Sequence, residues 1–482
     1  MSFTPTPEQL AIVDAAKNTE ENLLIDALAG AAKTSTLVMI AEALPDTQIL
    51  CLAFNKKIAM EMQSRLPKNC MAMTLNSLGH RVWADATGRR LRLESAKTYN
   101  IVKALIEDLS PDEKKSAFDS MGEIMRLVDF GKQCGYIPTG CYEQSPKAKR
   151  LLDDAEFFGH IENRLSKLEE DLIRSATLIS IKQSFEGLID FGDQILMPTV
   201  FMGAFPRFPL VLIDEAQDLS ALNHATLSKL VKKRLIAVGD PCQAIYGFRG
   251  AHEDSMQLLR ERFSMRELRL SVSFRCPQAI VKHSHWRAPH MQFPVWAKEG
   301  EVRHWDSWTA ADLPDSATII CRNNAPLFSV AIKLLKNGRS AELHGNDVSK
   351  TLAKIMRKFG GSDLSQTTVL SKIAQWEDDQ LTKTKPRGHS GIHDRAECMR
   401  IFANQGKNLG DALAYMEHIT QLHSPLKLMT GHKSKGLEFD DVFFLDEQLV
   451  RKEDQDPNLR YVIQTRSKST LTYIKSEDFQ DA

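Results

Sequence analysis

The stretch NLLIDALAGAAKTSTLVMIAEAL, residues 22–44, decides the fold. Its first seven residues form a short apolar run of the kind found in strands buried on both faces of a parallel sheet. AGAAKT then reads as a tight turn, and from Lys33 onward the apolar residues recur at helical period. Strand, turn and helix in this order open an α/β domain. Three further runs belong with it: QILCLAF at 48–54, LVLIDEA at 210–216 and RLIAVGD at 234–240. Between about 86 and 185 the pattern changes to long amphipathic stretches such as KTYNIVKALIEDL and ENRLSKLEEDLIRSATLISIKQSF, which predict a helical insertion. A later group, SATIICRN at 316–323, PLKLMTGH at 425–432, DDVFFLDE at 440–447 and STLTYI at 469–474, predicts a second α/β domain. The expected division is 1–85 with 186–255, an insertion at 86–185, a second domain at 256–345 with 424–482, and a reduced, polar, helix-leaning insertion at 346–423.

With 482 residues the chain has room for about three domains. Lys plus Arg equals Asp plus Glu at 62 each, so overall charge attracts no polyanion and any nucleic-acid site must be a local patch. No apolar run is long enough to span a bilayer, so no membrane partner is expected. The opening MSFTPTPEQL lacks the basic and apolar regions of a secretory leader, which points to a reducing compartment. The eight cysteines show neither a C-x-x-C pair nor zinc spacing and read as reduced thiols. His389 and His393 fall in TKTKPRGHSGIHD, where a solvated loop around 380–395 is expected rather than a metal site.

The chemistry concentrates after the strands. LVLI runs into Asp214-Glu215-Ala216-Gln217-Asp218, two adjacent carboxylates at the C-terminal end of a buried parallel strand, where α/β sheets bind ligands. One carboxylate there can hold Mg²⁺ while the other polarises a water. Lys33 and Thr34 open a helix after a strand, as in a phosphate-binding loop. The two glycine positions of that motif hold Ala27 and Ala32, which leaves Gly30 to supply a left-handed residue.

Together with VGDPCQAIYGFRGA at 238–251 and LMTGHKSKGLEFDDVFFL at 428–445, these features resemble the UvrD/Rep-like superfamily 1 DNA helicases. The resemblance runs from about Gln9 to Lys468, and LAFNKKIAMEM at 52–62 with TLNSLGHRVW at 74–83 is closest in wording to the F-box DNA helicase branch and its phage and bacterial relatives, although no F-box segment is recognisable. The resemblance implies two RecA-like parallel-sheet domains, each with an insertion, with ATP and Mg²⁺ as cofactors. By the same resemblance Gln9 reads adenine and Phe274 stacks on it, while Gly30, Ala31, Ala32, Lys33, Thr34 and Ser35 surround the phosphates. Thr34 and Asp214 hold the metal, Glu215 is the catalytic base, Gln243 senses the γ-phosphate, Arg275 and Arg466 reach it, and Glu438 contacts the nucleotide.

On the strand side, the resemblance assigns Phe54, Tyr246 and Phe248 to stacking on successive bases. Asn76, Ser77, His80 and Arg249 lie along the backbone, and His432 couples the two sites. The implied partners are single-stranded and partial-duplex DNA, together with replication or repair proteins, for a chain acting as a monomer. Its expected place is the cytoplasm of a bacterium or phage-infected cell, or the nucleus of a eukaryote. Departures are Ala27 and Ala32 in the loop, Ser35 where relatives often carry an arginine against adenine, Asn76 in place of a common histidine, and a short interval from Arg275 to His432. Three readings follow: a 3′–5′ DNA helicase, a translocase that strips proteins but unwinds poorly, and a nucleotide-gated binding protein. The full set of Glu215, Gln243, Arg275 and Arg466 favours hydrolysis over the third.

Overall fold

The computed structural model describes residues 4–140, 151–161, 165–201, 203–247, 254–344, 346–383, 386–451 and 456–481. It divides into two compact units, Met1–Ala27 with Ala32–Leu270, and Leu28–Ala31 with Ser271–Ala482.

The first unit is built on a six-stranded sheet: β1 (Leu23–Ala27), β2 (Ile49–Leu52), β3 (Cys70–Met73), β4 (Phe208–Ile213), β5 (Val231–Gly239) and β6 (Arg266–Leu270). The spatial order is β3-β2-β4-β5-β1-β6, and every pairing is parallel. The four apolar runs from the sequence are the four central strands. β3 and β6 lie at the edges, where one open flank leaves Met71 exposed in the short CMAM strand and tolerates the charged RELRL pattern. Because Leu23–Ala27 pairs with Arg266–Leu270, the first sheet extends past the boundary expected at residue 255, and the unit closes at Leu270.

The segment expected as a helical insertion contains the helices Lys97–Glu107, Pro111–Cys134, Asp154–Gly159 and Lys167–Phe185. They enclose their own core of Val102, Ile106, Leu127, Val128, Phe157 and Ile173. Arg92–Leu93 pairs with Leu188–Ile189 where the chain leaves and re-enters the sheet domain.

The second unit repeats the plan with β7 (Glu301–His304), β8 (Thr318–Cys321), β9 (Glu342–Leu343), β10 (Lys427–Thr430), β11 (Phe439–Leu445) and β12 (Ser467–Ile474), ordered β9-β10-β8-β11-β12-β7 and parallel throughout. Its insertion behaves differently from the first. The helices Asn346–Met356, Gln366–Lys383, Pro386–Ala403 and Leu409–Thr420 send Leu352, Ile373, Met399 and Phe402 into the same core as Ile319 and Phe443 of the sheet.

The solvated loop expected around 380–395 is overturned. Residues 384 and 385 lie outside the described set, but Pro386 begins a helix that carries both His389 and His393. Proline is compatible with the first helical position, and Asp394 on this helix accepts hydrogen bonds from the Asn324 and Ala325 N–H groups, so tertiary contacts outweigh the two glycines. His393 Nδ1 lies 2.7 Å from Glu377 Oε1. Among the described residues no group of three His, Cys, Asp or Glu side chains is set to hold a metal, and no helix is long and apolar enough to cross a membrane.

Candidate functional site

After β1 the chain turns through Gly30 at φ 74° and Ala32 at φ 56°, and the helix Lys33–Glu42 begins. The expectation that Gly30 alone supplies a left-handed residue is therefore corrected, since Ala32 adopts that region with its Cβ in place. An L-residue there is strained by roughly 1–2 kcal/mol, while glycine loses about 0.4–1 kcal/mol through its freer unfolded chain. Ala32→Gly is expected to gain on the order of 0.5–1 kcal/mol, seen as a higher urea midpoint at unchanged slope. A lower midpoint would show that Ala32 carries no strain.

Thr34 Oγ1 donates to Asp214 Oδ2 at 2.8 Å. Burial pushes the Asp214 carboxyl up to about 6, helped by the neighbouring Glu215 charge and opposed by Lys33 and the Thr34 hydroxyl. A hydroxyl and a desolvated carboxylate at a helix start make a hard-oxygen pair that fits Mg²⁺, which takes one or two protein carboxylates and completes its shell with phosphate oxygens and water. Glu215 sits in the left-handed region at φ 57°, ψ 44°, with its N–H on Asp214 Oδ1 at 2.9 Å. Gln217, which the sequence reading passed over, donates from Nε2 to Glu215 Oε2 at 2.5 Å and accepts the Asp240 N–H on Oε1 at 3.0 Å. Its place inside DEAQD was the available signal. Gln243 donates to Asp240 Oδ2 at 2.6 Å. Gln9 is buried; its amide closes the capping box with Thr6 and donates to Thr36 Oγ1, while Ser35 Oγ accepts from Arg65 Nη2 at 3.0 Å.

Asp26, one residue before the end of β1, has a buried Oδ1 without a hydrogen-bond partner, and burial with the Asp240 and Glu267 charges pushes its pKa up to about 6. A carboxyl raised in the fold is disfavoured once ionised, so its destabilising effect grows as pH rises from 3.8 to about 6 and is complete above that. Asp26→Asn is expected to stabilise the chain at pH 8 by on the order of 2–3 kcal/mol and to change little at pH 4. Equal shifts at both pH values would remove ionisation as the cause.

A cavity of about 310 Å³ in the first unit is lined by Asp214 and Glu215 and also by Phe54, Tyr246, Asn76 and Phe191. The Phe54 and Tyr246 rings stack at 5.9 Å and 5°. Phe191, which was missed, is 58% exposed although aromatic, and Asn76 Nδ2 donates to its carbonyl at 2.8 Å. Gln194 receives Asn76 on Oε1 and meets His80 Nδ1 at 3.2 Å. This cluster depends on Gly79, where a Cβ would come within 2.1 Å of the Gln194 carbonyl oxygen, so the helices Leu75–Thr87 and Asp193–Val200 approach backbone to backbone. Ser77 is used locally, closing the capping box with Thr74. Phe248 and Arg249 lie outside the described residues.

In the second unit Arg275 Nη2 pairs with Glu438 Oε1 at 2.6 Å, and Arg275 Nε is buried without a hydrogen-bond partner. Arg466 is 1% exposed, and its guanidinium donates to the Val462 and Leu437 carbonyls and to Thr465 Oγ1. Phe274 donates its N–H to the Gly30 carbonyl at 2.9 Å. His432 lines a cavity of about 650 Å³ beyond β8 and β10, together with Arg322, Arg395, Lys433 and Asp394. Arg322 and Arg395 were not singled out from the sequence, since their meeting depends on the insertion folding onto the sheet.

The chain is similar to known DNA helicases over most of its length. The chain is 24% identical to F-box DNA helicase protein 1 of Schizosaccharomyces pombe over 97% of its own length and 57% of the relative, and 24% identical to F-box DNA helicase 1 of Gallus gallus over 98% and 49%. It is also 24% identical to the ATP-dependent DNA helicase UvrD1 of Mycobacterium tuberculosis over 81% and 56%. The chain thus spans about half the length of these relatives. Residues 6–264 match the model of the UvrD/REP helicase N-terminal domain, more than half of the chain, and with the loop, the carboxylate pair and the two parallel sheets in place the chain belongs to the UvrD/REP helicase family.

Proposed function

We propose that the chain is an ATP-driven DNA helicase and single-strand translocase that moves 3′ to 5′. The observation that carries this reading is the shared cavity of the first unit, which is lined both by rings suited to stacking on bases, the exposed Phe54 and Phe191 and the half-buried Tyr246, and by the Asp214–Glu215 pair. A strand seated on Phe54, Tyr246 and Phe191 bears directly on the residues that handle the water. Lys33 and the helix start at Lys33–Glu42 hold the phosphates. Glu215, fixed by Gln217, orients the attacking water and accepts its proton. Thr34 and Asp214 would hold Mg²⁺, which when bound would neutralise phosphate charge.

Arg275 and Arg466 are assigned to the γ-phosphate. The unpaired Nε of Arg275 supports its share of that role, while Arg466 reaches a phosphate after giving up its internal acceptors. Gln9, Phe274 and Glu438 are assigned to the nucleotide, and His432, Asn76 and His80 to the strand side. The domain division is proposed as two RecA-like units with a helical insertion in each, replication or repair as the setting, and a monomer as the working form.

A second reading, a translocase with weak unwinding, is favoured by the second insertion sharing its core with the sheet. ATP hydrolysis measured with and without single-stranded DNA, followed by unwinding of duplexes with 3′ or 5′ tails, tests both. Strand-stimulated hydrolysis with unwinding from the 3′ tail is expected; stimulation without unwinding selects the second reading, and hydrolysis indifferent to DNA overturns both. Phe54→Ala is expected to weaken single-strand binding by roughly 1–3 kcal/mol without sequence preference. Unchanged affinity with a lower melting temperature would make Phe54 a packing residue.

A further inference from the structure

Trp296 is 71% exposed and follows Val295, which is fully exposed. The segment that displays these side chains is firmly held. The Ala297 N–H donates to the Pro294 carbonyl, and the Ala297, Lys298 and Glu299 carbonyls accept from Gln278 Nε2, Gln278 N and Ala279 N at 2.9–3.0 Å. One face of the indole lies on the Phe274 ring, with centroids 6.1 Å apart and planes 26° apart.

Phe274 is itself fastened to the glycine of the phosphate loop through its N–H on the Gly30 carbonyl. The approach is so close that a Cβ at Gly30 would stand 2.6 Å from Ser273 Oγ and 2.7 Å from Arg275 Cβ. The two stacked rings are thus mounted on the phosphate loop's own backbone, one residue from Arg275.

We infer that Trp296 is a positioning residue for the purine base of ATP. It backs the Phe274 ring and fixes its tilt, so that the base meets a preset plane rather than a rotating side chain. This rests on the reading of the site as a nucleotide site. An aromatic pair of this kind contributes enough to change affinity roughly 2- to 12-fold.

The test uses the full chain and its Trp296→Ala and Trp296→Phe variants. Five quantities are read: KM and kcat for ATP with saturating single-stranded DNA, equilibrium affinity for ADP, inhibition by inorganic tripolyphosphate, and single-strand affinity. Trp296→Ala is expected to raise KM and weaken ADP roughly 2- to 12-fold, with kcat, tripolyphosphate inhibition and strand affinity unchanged, and Trp296→Phe to recover most of the loss. Tripolyphosphate carries no base, so equal weakening toward it would mean general damage to the loop and overturn the inference. Unchanged KM overturns it also, and lost strand affinity with normal ATP parameters assigns the ring to DNA instead. If the parent chain binds no ADP, the nucleotide reading itself fails; if the parent binds ADP and Trp296→Ala binds it equally well, the positioning role alone fails.

Discussion

Glu215→Gln is expected to bind ATP with near-parental affinity while kcat for strand-stimulated hydrolysis falls by roughly 10²- to 10⁴-fold, the usual contribution of a positioned proton acceptor. The amide keeps the shape of the side chain and an oxygen for the 2.5 Å bond from Gln217, so the local network survives while the proton acceptor is lost. The left-handed backbone at Glu215, φ 57°, aims this side chain, and such strain persists where surrounding structure enforces it. Removing the neighbouring negative charge also makes the Asp214 carboxyl easier to ionise, because Glu215 is one of the influences that push it up. A variant that hydrolyses at the parental rate would remove Glu215 from the chemistry, and one that no longer binds ATP would make it a structural residue.

Asp193→Ala is expected to destabilise the first unit by about 3–5 kcal/mol, the range for breaking a buried ion pair from one side. Lys97 Nζ lies 2.6 Å from Asp193 Oδ2 and Lys132 Nζ 3.0 Å from Oδ1, and all three side chains are 0–1% exposed. Burial alone would push the Asp193 carboxyl up, but the Lys132 and Lys97 charges outweigh it and hold the pKa at about 2. A depressed acid stabilises the fold above its unfolded pKa and loses that contribution as pH falls toward 2, so the full effect is present at neutral pH. Truncation leaves two ammonium groups with Asp190 as the carboxylate paired to Lys132, Asp129 nearby, and the neutral acceptors Ser180 and Ser184 on Lys97. Asp190 and Asp193 accept each other's N–H groups across Phe191, so the same change should loosen the aromatic lining of the cavity beside Asp214. Urea unfolding reads the stability, and replacing Lys97 by Met together with Asp193→Leu should recover much of it. A single variant within 1 kcal/mol of the parent would show that the cluster is hydrated rather than dry.

The central strands of both sheets were legible because a strand covered on both faces carries an apolar run where it is buried, and β1, β2, β4, β5, β8, β10, β11 and β12 each contain such a run, although polar residues such as Lys232 and Lys233 of β5 and Asp440 and Asp441 of β11 stand at their starts. The edge strands were not, since an open flank admits charge: Arg266–Leu270 has three exposed residues, and without it the first domain seemed to end early. The helix from Pro386 was hidden for a related reason. Its sequence is rich in residues that favour turns, and what holds it is the contact of Ile392, Ala396, Met399 and Phe402 with other buried side chains and the Asp394 cap on a helix 70 residues earlier.

For the site, the sequence by itself determined the chemical inventory: a lysine and threonine after one strand and paired carboxylates after another, because ligand-binding groups of α/β sheets follow strand ends, together with arginines at 275 and 466. The tertiary structure alone decided how that inventory is held. Ala32 is left-handed because the loop must turn there, Phe191 joins Phe54 and Tyr246 because Gly79 lets two helix backbones meet, and Arg466 is buried because its acceptors come from residues 437, 462 and 465. Contacts between segments far apart in the chain leave no periodic trace in the sequence, whereas a strand followed by its loop does.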